Sequence, residues 1–196
     1  MNKNLKEINE IFKYKIDISF PIINDINANN YIKKLITNIK EDFIKSSKRI
    51  SNLNYYYTLH IKYKKYEYKN ITTYVFNIRE LKDNTYPNSF IKSIRINNDG
   101  NIISIDNLIN ENSNILYNLS KISKNVLLSE IKLKDNITLN TILNKTRPLK
   151  KNFENFVYTK DGLLILLDYY KTNPYHYSIK KILVPYELIS INQGKN

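Results

Sequence analysis

Three acids in the C-terminal third, Asp161, Asp168 and Glu187, are the residues whose chemistry would be hydrolytic. Two carboxyl groups held about 5 to 10 Å apart across a cleft can cleave a glycosidic bond. Acids at turns and strand ends more often cap backbone amides or face water, so no catalytic dyad is assigned and the chain reads as a non-enzyme. Histidine occurs twice, as His60 and His176, with no histidine or carboxylate at ligand spacing near either in sequence. His60 reads as a solvent-facing strand residue and His176 as a loop residue. Cysteine is absent, which excludes a thiol nucleophile, a disulfide framework and a cysteine-based zinc site. With only 3 glycines, there is no P-loop, GxGxxG or GxSxG, and no glycine-built phosphate cradle. No metal or cofactor is expected.

The 17 tyrosines are more suggestive. Tyr55-Tyr56-Tyr57, then Tyr63, Tyr66 and Tyr68, interleave with Lys62, Lys64, Lys65 and Lys69. Tyr169-Tyr170-Lys171 and Pro174-Tyr175-His176-Tyr177 repeat the mixture. An exposed tyrosine beside lysine can stack on a base or a sugar ring, or anchor a protein interface. Alternatively, alternate tyrosines face a core and the lysines guard the solvated face of a sheet. Packing is the favoured reading for residues 55–69. For residues 168–177 the two readings stand level, because a loop joining two strands is where binding groups concentrate. The candidate binding residues are Tyr86 and Asn88 from one loop and Tyr170, Tyr175 and His176 from another. The tyrosines would stack or anchor; Asn88 and His176 would supply directional hydrogen bonds.

The elements that must position these residues follow from periodicity. Tyr14, Ile16, Ile18 and Phe20 alternate with polar residues, a half-buried strand. Ile32, Leu35, Ile36, Ile39, Phe43 and Ile50 have helical spacing, with Asn24 or Asp25 as N-cap. Strands are expected over 54–68, 72–80, 89–97 and 101–105, with Asn98-Asp99-Gly100 a tight turn. Helical spacing returns over 112–132 and again over 138–144. Three strands close the chain, at 156–158, 163–170 and 178–184. The run Leu163 to Leu167 is apolar throughout, which places that strand centrally. The fold class is α+β: a mostly antiparallel sheet with two main helices packed on one face, in the order β-α-β-β-β-β-α-β-β-β. One unit spans residues 1–196, with a seam near 82–88 between halves 14–81 and 89–190.

The chain has 196 residues and a net charge of +13. Its longest apolar run is far too short to span a bilayer. Arginine is confined to Arg49, Arg79, Arg95 and Arg147, so the remainder of the 31 basic residues are lysines. Lysine, asparagine, isoleucine and tyrosine all have A/T-rich codons, and a low-GC genome accounts for part of the lysine excess. The positive field still attracts anionic polymers, so a basic nucleic-acid-binding domain is the alternative function. The start, Met1-Asn2-Lys3-Asn4-Leu5-Lys6-Glu7, has no apolar signal core or cleavage site, which favours a cytoplasmic location.

A resemblance adds a sharper lead. Phe156, Gly162, Leu163, Ile165, Tyr170, Pro174 and Tyr175, followed by Pro185-Tyr186 and Leu188, form a recognisable pattern. So do Tyr86-Pro87-Asn88-Ser89, Ile94, Ile96, Asp99-Gly100 and Leu108-Ile109 upstream. Together they resemble the extracellular sensor domain of the lysozyme-responsive sigma-V anti-sigma factor family, and the accessory domain of some peptidoglycan deacetylases. The likeness covers roughly residues 14–190. It departs at Asp83-Asn84-Thr85-Tyr86, where the family carries Gly-Gly-Ala-His, and at His176-Tyr177-Ser178, where the family has small residues. The resemblance implies a non-catalytic binding module at the extracellular face, with a cell-wall polymer or envelope protein as partner. A lysozyme-like partner is disfavoured, because lysozymes are typically basic and a +13 domain repels them at long range.

Overall fold

Alternation of apolar and polar side chains becomes a six-stranded sheet at the start of the chain. A computed structural model describes residues 2–48, 55–81, 87–130, 136–170 and 177–189. Strand β1 (Asn2–Asn9) pairs antiparallel with β2 (Tyr14–Pro21). Helix α1 (Ile26–Lys48) then carries the chain over to β3 (Tyr57–Tyr68), which lies parallel to β2 with Ile16 opposite Leu59. A parallel pair needs such a crossover. Strands β4 (Ile71–Leu81), β5 (Asn88–Asn97) and β6 (Ile102–Ile103) follow as antiparallel neighbours, so the sheet order is β1 to β6 in sequence. Strand β1 is not legible from periodicity. It is an edge strand whose Leu5 is only partly buried, held by its pairing to β2 rather than by a core face.

Helix α1 begins at the expected cap, with the Asp25 carboxylate accepting from Ala28 N–H at 2.8 Å. Its buried residues Ala28, Ile32, Ile36 and Phe43 pack on Tyr14, Ile18, Leu59, Ile61, Phe76 and Ile78 of the sheet. The Tyr14 and Phe43 rings meet edge-on at 6.3 Å.

The second sheet is antiparallel, with β8 (Gly162–Tyr170) between β7 (Phe156–Thr159) and β9 (Tyr177–Val184). The central place expected of the apolar run is the one observed. Four helices precede this sheet: α2 (Ile105–Glu111), α3 (Ile115–Ser129), α4 (Asn136–Lys145) and α5 (Lys150–Phe153). The single helix expected over 112–132 is preceded by a separate one, because Ser104 opens α2 with a capping box to Asn107 and Asn112 closes it through Asn112 N–H to the Leu108 carbonyl.

The chain is thus mixed α+β and mostly antiparallel, arranged as α1, first sheet, second sheet, α2–α5. Each sheet carries helices on its outer face. Leu163, Ile165 and Leu167 of β8 face Leu108, Leu119, Ile142 and Phe153 of the helices. Between the sheets lies a small cluster of Val75, Ile91, Val157 and Leu166. Strands β4 and β5, which flank the expected seam near 82–88, belong to the same sheet; residues 82–86 themselves lie outside the described residues.

Ser123 on the buried face of α3 has the one buried side-chain oxygen without a hydrogen-bond partner among the described residues. Ser123→Ala removes that desolvated hydroxyl and improves helix propensity. It should raise the unfolding free energy by about 1 kcal/mol, read from the urea midpoint.

Candidate functional site

The two sheets meet through polar groups as well as apolar ones, and these contacts decide which loops lie together. Strand β5 has a backbone edge that β4 does not pair. Ser93 N–H donates to the Asn155 side-chain oxygen at 2.8 Å, and the Asn155 amide donates to the Ile91 carbonyl at 3.3 Å. Ile91 N–H donates to an Asp168 carboxylate oxygen at 3.2 Å. Asn155, just before β7, and Asp168 of β8 therefore cover the β5 edge.

Arg95 holds the same seam and is 5% exposed. Its guanidinium donates to the carbonyls of Ile103 (2.9 Å), Glu154 (3.0 Å) and Phe156 (3.2 Å), and to the Ser93 hydroxyl at 2.6 Å. It also stacks 3.9 Å from the Phe156 ring centre. Burial lowers its pKa to about 10, with nearby Tyr158 and Glu154 acting the other way.

The Asp168 contact sets the start of β5 beside the end of β8. From Ile91 back to Asn88, and from Asp168 on to Tyr170, the two strands run toward the same end of the molecule. Asn88 is exposed there, opposite Glu80. Tyr170 is the last residue of β8, opposite Tyr177. Tyr86, Tyr175 and His176 lie outside the described residues.

The acids do not all converge. Asp168 is engaged with β5. It stands seven positions along from Asp161, roughly 23 Å for an extended strand, beyond the range of a glycosidase pair. Asp161 and Glu187 are both exposed. Among the described residues, no group of three His, Asp or Glu could hold a metal, and no helix is long and apolar enough to cross a membrane.

The tyrosine-lysine stretch behaves as packing. Tyr57 is buried, Tyr63 lies 5.9 Å from Tyr74 and 6.0 Å from Phe76, and Tyr66 packs between the sheets. Tyr56 bonds Glu10 and lies under Lys13 and Lys15, at 5.2 and 4.1 Å. Tyr55 remains exposed. His60 faces solvent as expected, but the parallel pairing brings Asp17 to 3.9 Å from it. That neighbour is invisible in sequence, where 43 positions separate the two.

Sequence reasoning missed a polar depression of about 600 Å³ at the α2–α3 turn, lined by Glu111, Asn112, Asn114, Tyr117 and Asn118. Asn112 forms its floor: its amide donates to the Ile189 carbonyl at 2.7 Å and its oxygen accepts from Asn114 N–H at 2.9 Å. Asn114 stands at the N-cap of α3 yet makes no side-chain capping bond. Tyr117 is 63% exposed. Burial raises the Glu111 carboxyl above its ordinary value. In the sequence this stretch falls at the start of the helical spacing expected over 112–132, and nothing there marks a depression.

Near this turn two phenols are pushed up by burial. Tyr186, whose hydroxyl donates to the Thr159 carbonyl at 2.9 Å, rises to about 12. Tyr158 rises further, with the Glu111 charge as second cause. A raised phenol contributes stability that is complete below its unfolded value, near 10, and is lost as pH climbs through the folded value. Arg95 works oppositely over that interval, since its costly buried charge is relieved there. The two phenols outweigh one guanidinium, so unfolding should set in above pH ~10. Tyr158→Phe should move the alkaline midpoint upward while leaving stability at pH 7 nearly unchanged. An unmoved midpoint in a circular-dichroism titration would refute the assignment.

No protein-family profile matches this chain, and no curated protein does. Solved structures do. A DUF3298 family member from Bacteroides fragilis NCTC 9343 superposes with a TM-score of 0.60 at 16% identity, covering 97% of this chain and 90% of that one. A DUF3298 family protein from Pseudomonas aeruginosa PAO1 gives 0.53 at 11% identity, covering 97% and 92%. At these identities the likeness is one of fold: the chain has, over almost its whole length, the architecture of DUF3298 proteins, a domain of unknown function.

Proposed function

We propose that this protein is a non-catalytic binding module of the cell-envelope sensor and accessory type. Its ligand is a cell-wall polymer or an envelope protein, taken at the end of the molecule where β5 begins and β8 ends. The carrying observation is the Ile91–Asp168 hydrogen bond, which makes the roots of the two candidate loops neighbours although 77 positions separate the bonded residues. Asn88 and Tyr170 stand at those roots. Tyr86, Tyr175 and His176, in the adjoining loops of the sequence, complete the proposed contact set. The sensor-like motif at 156–188 supports the same reading.

Charge selects among partners. A +13 surface favours anionic wall polymers over a basic lysozyme. It also favours nucleic acid, the competing reading. Co-sedimentation with Gram-positive cell walls, with and without teichoic acid and against single-stranded DNA, separates them. Retention that survives moderate salt and DNA competition is expected, and Tyr175→Ala combined with His176→Ala should abolish it without unfolding the domain. Salt-sensitive capture by DNA with no wall retention would overturn the proposal, since counterion release makes phosphate binding steeply salt-dependent.

A further inference from the structure

The depression at the α2–α3 turn has a chemistry at odds with the rest of the surface. The protein carries 31 basic residues, yet among the described residues none lines this depression, which presents three asparagines, one glutamate and one tyrosine. Among the described residues, phosphate or sulfate would find no cation there and a carboxylate on the rim. Carboxamides offer donors and acceptors together, the complement of a neutral ligand rich in hydroxyl and amide groups. Tyr117 adds a rigid, mostly exposed ring, an apolar face with a polar tip.

The floor is built rather than incidental. Asn112 spends both ends of its amide on Ile189 and Asn114, tying the turn to the segment after the 3-10 turn Tyr186–Leu188. Asn114 keeps its own carboxamide out of the capping role its position would give it. One side chain thus holds the shape and another is left for a ligand.

We infer that the depression bounded by Glu111, Asn114, Tyr117 and Asn118 is a binding site for an uncharged N-acetylated sugar. Tyr117 stacks on the pyranose ring, and Asn114 and Asn118 bond its hydroxyl and acetamido groups. The site is separate from the loops of the proposed function. It adjoins the turn that follows Val184, the partner of Leu163, whereas Tyr170 ends β8 seven residues further on, roughly 23 Å away for an extended strand.

Chitotetraose is the probe, titrated by calorimetry into the full chain at low and high salt. Saturable binding that is insensitive to salt and weakened roughly tenfold or more by Tyr117→Ala is expected. Tyr117→Trp should restore or improve affinity. Because Tyr117 is exposed, its variants should keep the wild-type melting temperature, which is checked alongside. Absence of saturable binding, equal affinity in Tyr117→Ala, or a strong salt dependence would overturn the inference. The wall-binding test relies on Tyr175 and His176, so either proposal can fail while the other stands.

Discussion

Arg95→Ala should lower the unfolding free energy by about 3 to 5 kcal/mol, the largest single-residue effect expected in this protein. The side chain is buried between the sheets, and its loss leaves the carbonyls of Ile103, Glu154 and Phe156 without their donor. Each unsatisfied buried carbonyl costs about 1 to 3 kcal/mol. The vacated volume and the lost stack on Phe156 add to that. Against this stands the relief of a desolvated charge, whose cost is visible in the lowered pKa. The geometry argues that the loss prevails, because one planar fork reaches two separate segments at once. Arg95→Lys keeps the charge but offers a single point of donation and should recover only part of the stability. Urea unfolding of the three proteins measures this; a cost under about 1 kcal/mol for Arg95→Ala would show that the sheets do not depend on the clamp.

Gly162→Ala is the second large effect, expected at about 2 to 3 kcal/mol. Gly162 opens β8 at φ +149°, where side chains are rarely tolerated. An added Cβ would stand 2.2 Å from the Val184 carbonyl oxygen and 2.9 Å from the Pro185 Cα. Those are backbone atoms, so relief requires β9 and the turn after it to move. Gly100 offers the contrast. Its added Cβ would meet the Asp25 side chain, which can rotate away at the expense of the α1 cap. Gly100→Ala should therefore cost less than Gly162→Ala, and thermal melts of the pair test the ordering.

Much of this architecture is written in local patterns. The alternation in Tyr14–Phe20, the spacing of Ile32, Ile36 and Phe43, and the cap at Asp25 each follow from side-chain direction and backbone hydrogen bonding. The uninterrupted run at 163–167 placed β8 centrally because both faces of a central strand are covered. Strand β1 escaped notice because an edge strand needs little apolar surface. Helix α2 lies outside the helix expected over 112–132, because it is only 7 residues long and its ends are set by hydrogen bonds at Ser104 and Asn112 rather than by a sustained apolar spacing.

The candidate site divides in the same way. By itself the sequence determined an α+β fold without cysteine chemistry, a strong positive charge, and tyrosines that alternate into strands. Those properties depend on residue type and on neighbours a few positions away. Only the tertiary structure decided that β5 and β8 lie together, that Arg95 is buried against three carbonyls, and that Asp168 caps an edge instead of joining Asp161. Only folding fastened the turn of Glu111, Asn112 and Asn114 to the distant Ile189 through the Asn112 amide. Contacts of this kind join residues far apart in the chain, and no local periodicity records which two surfaces will meet.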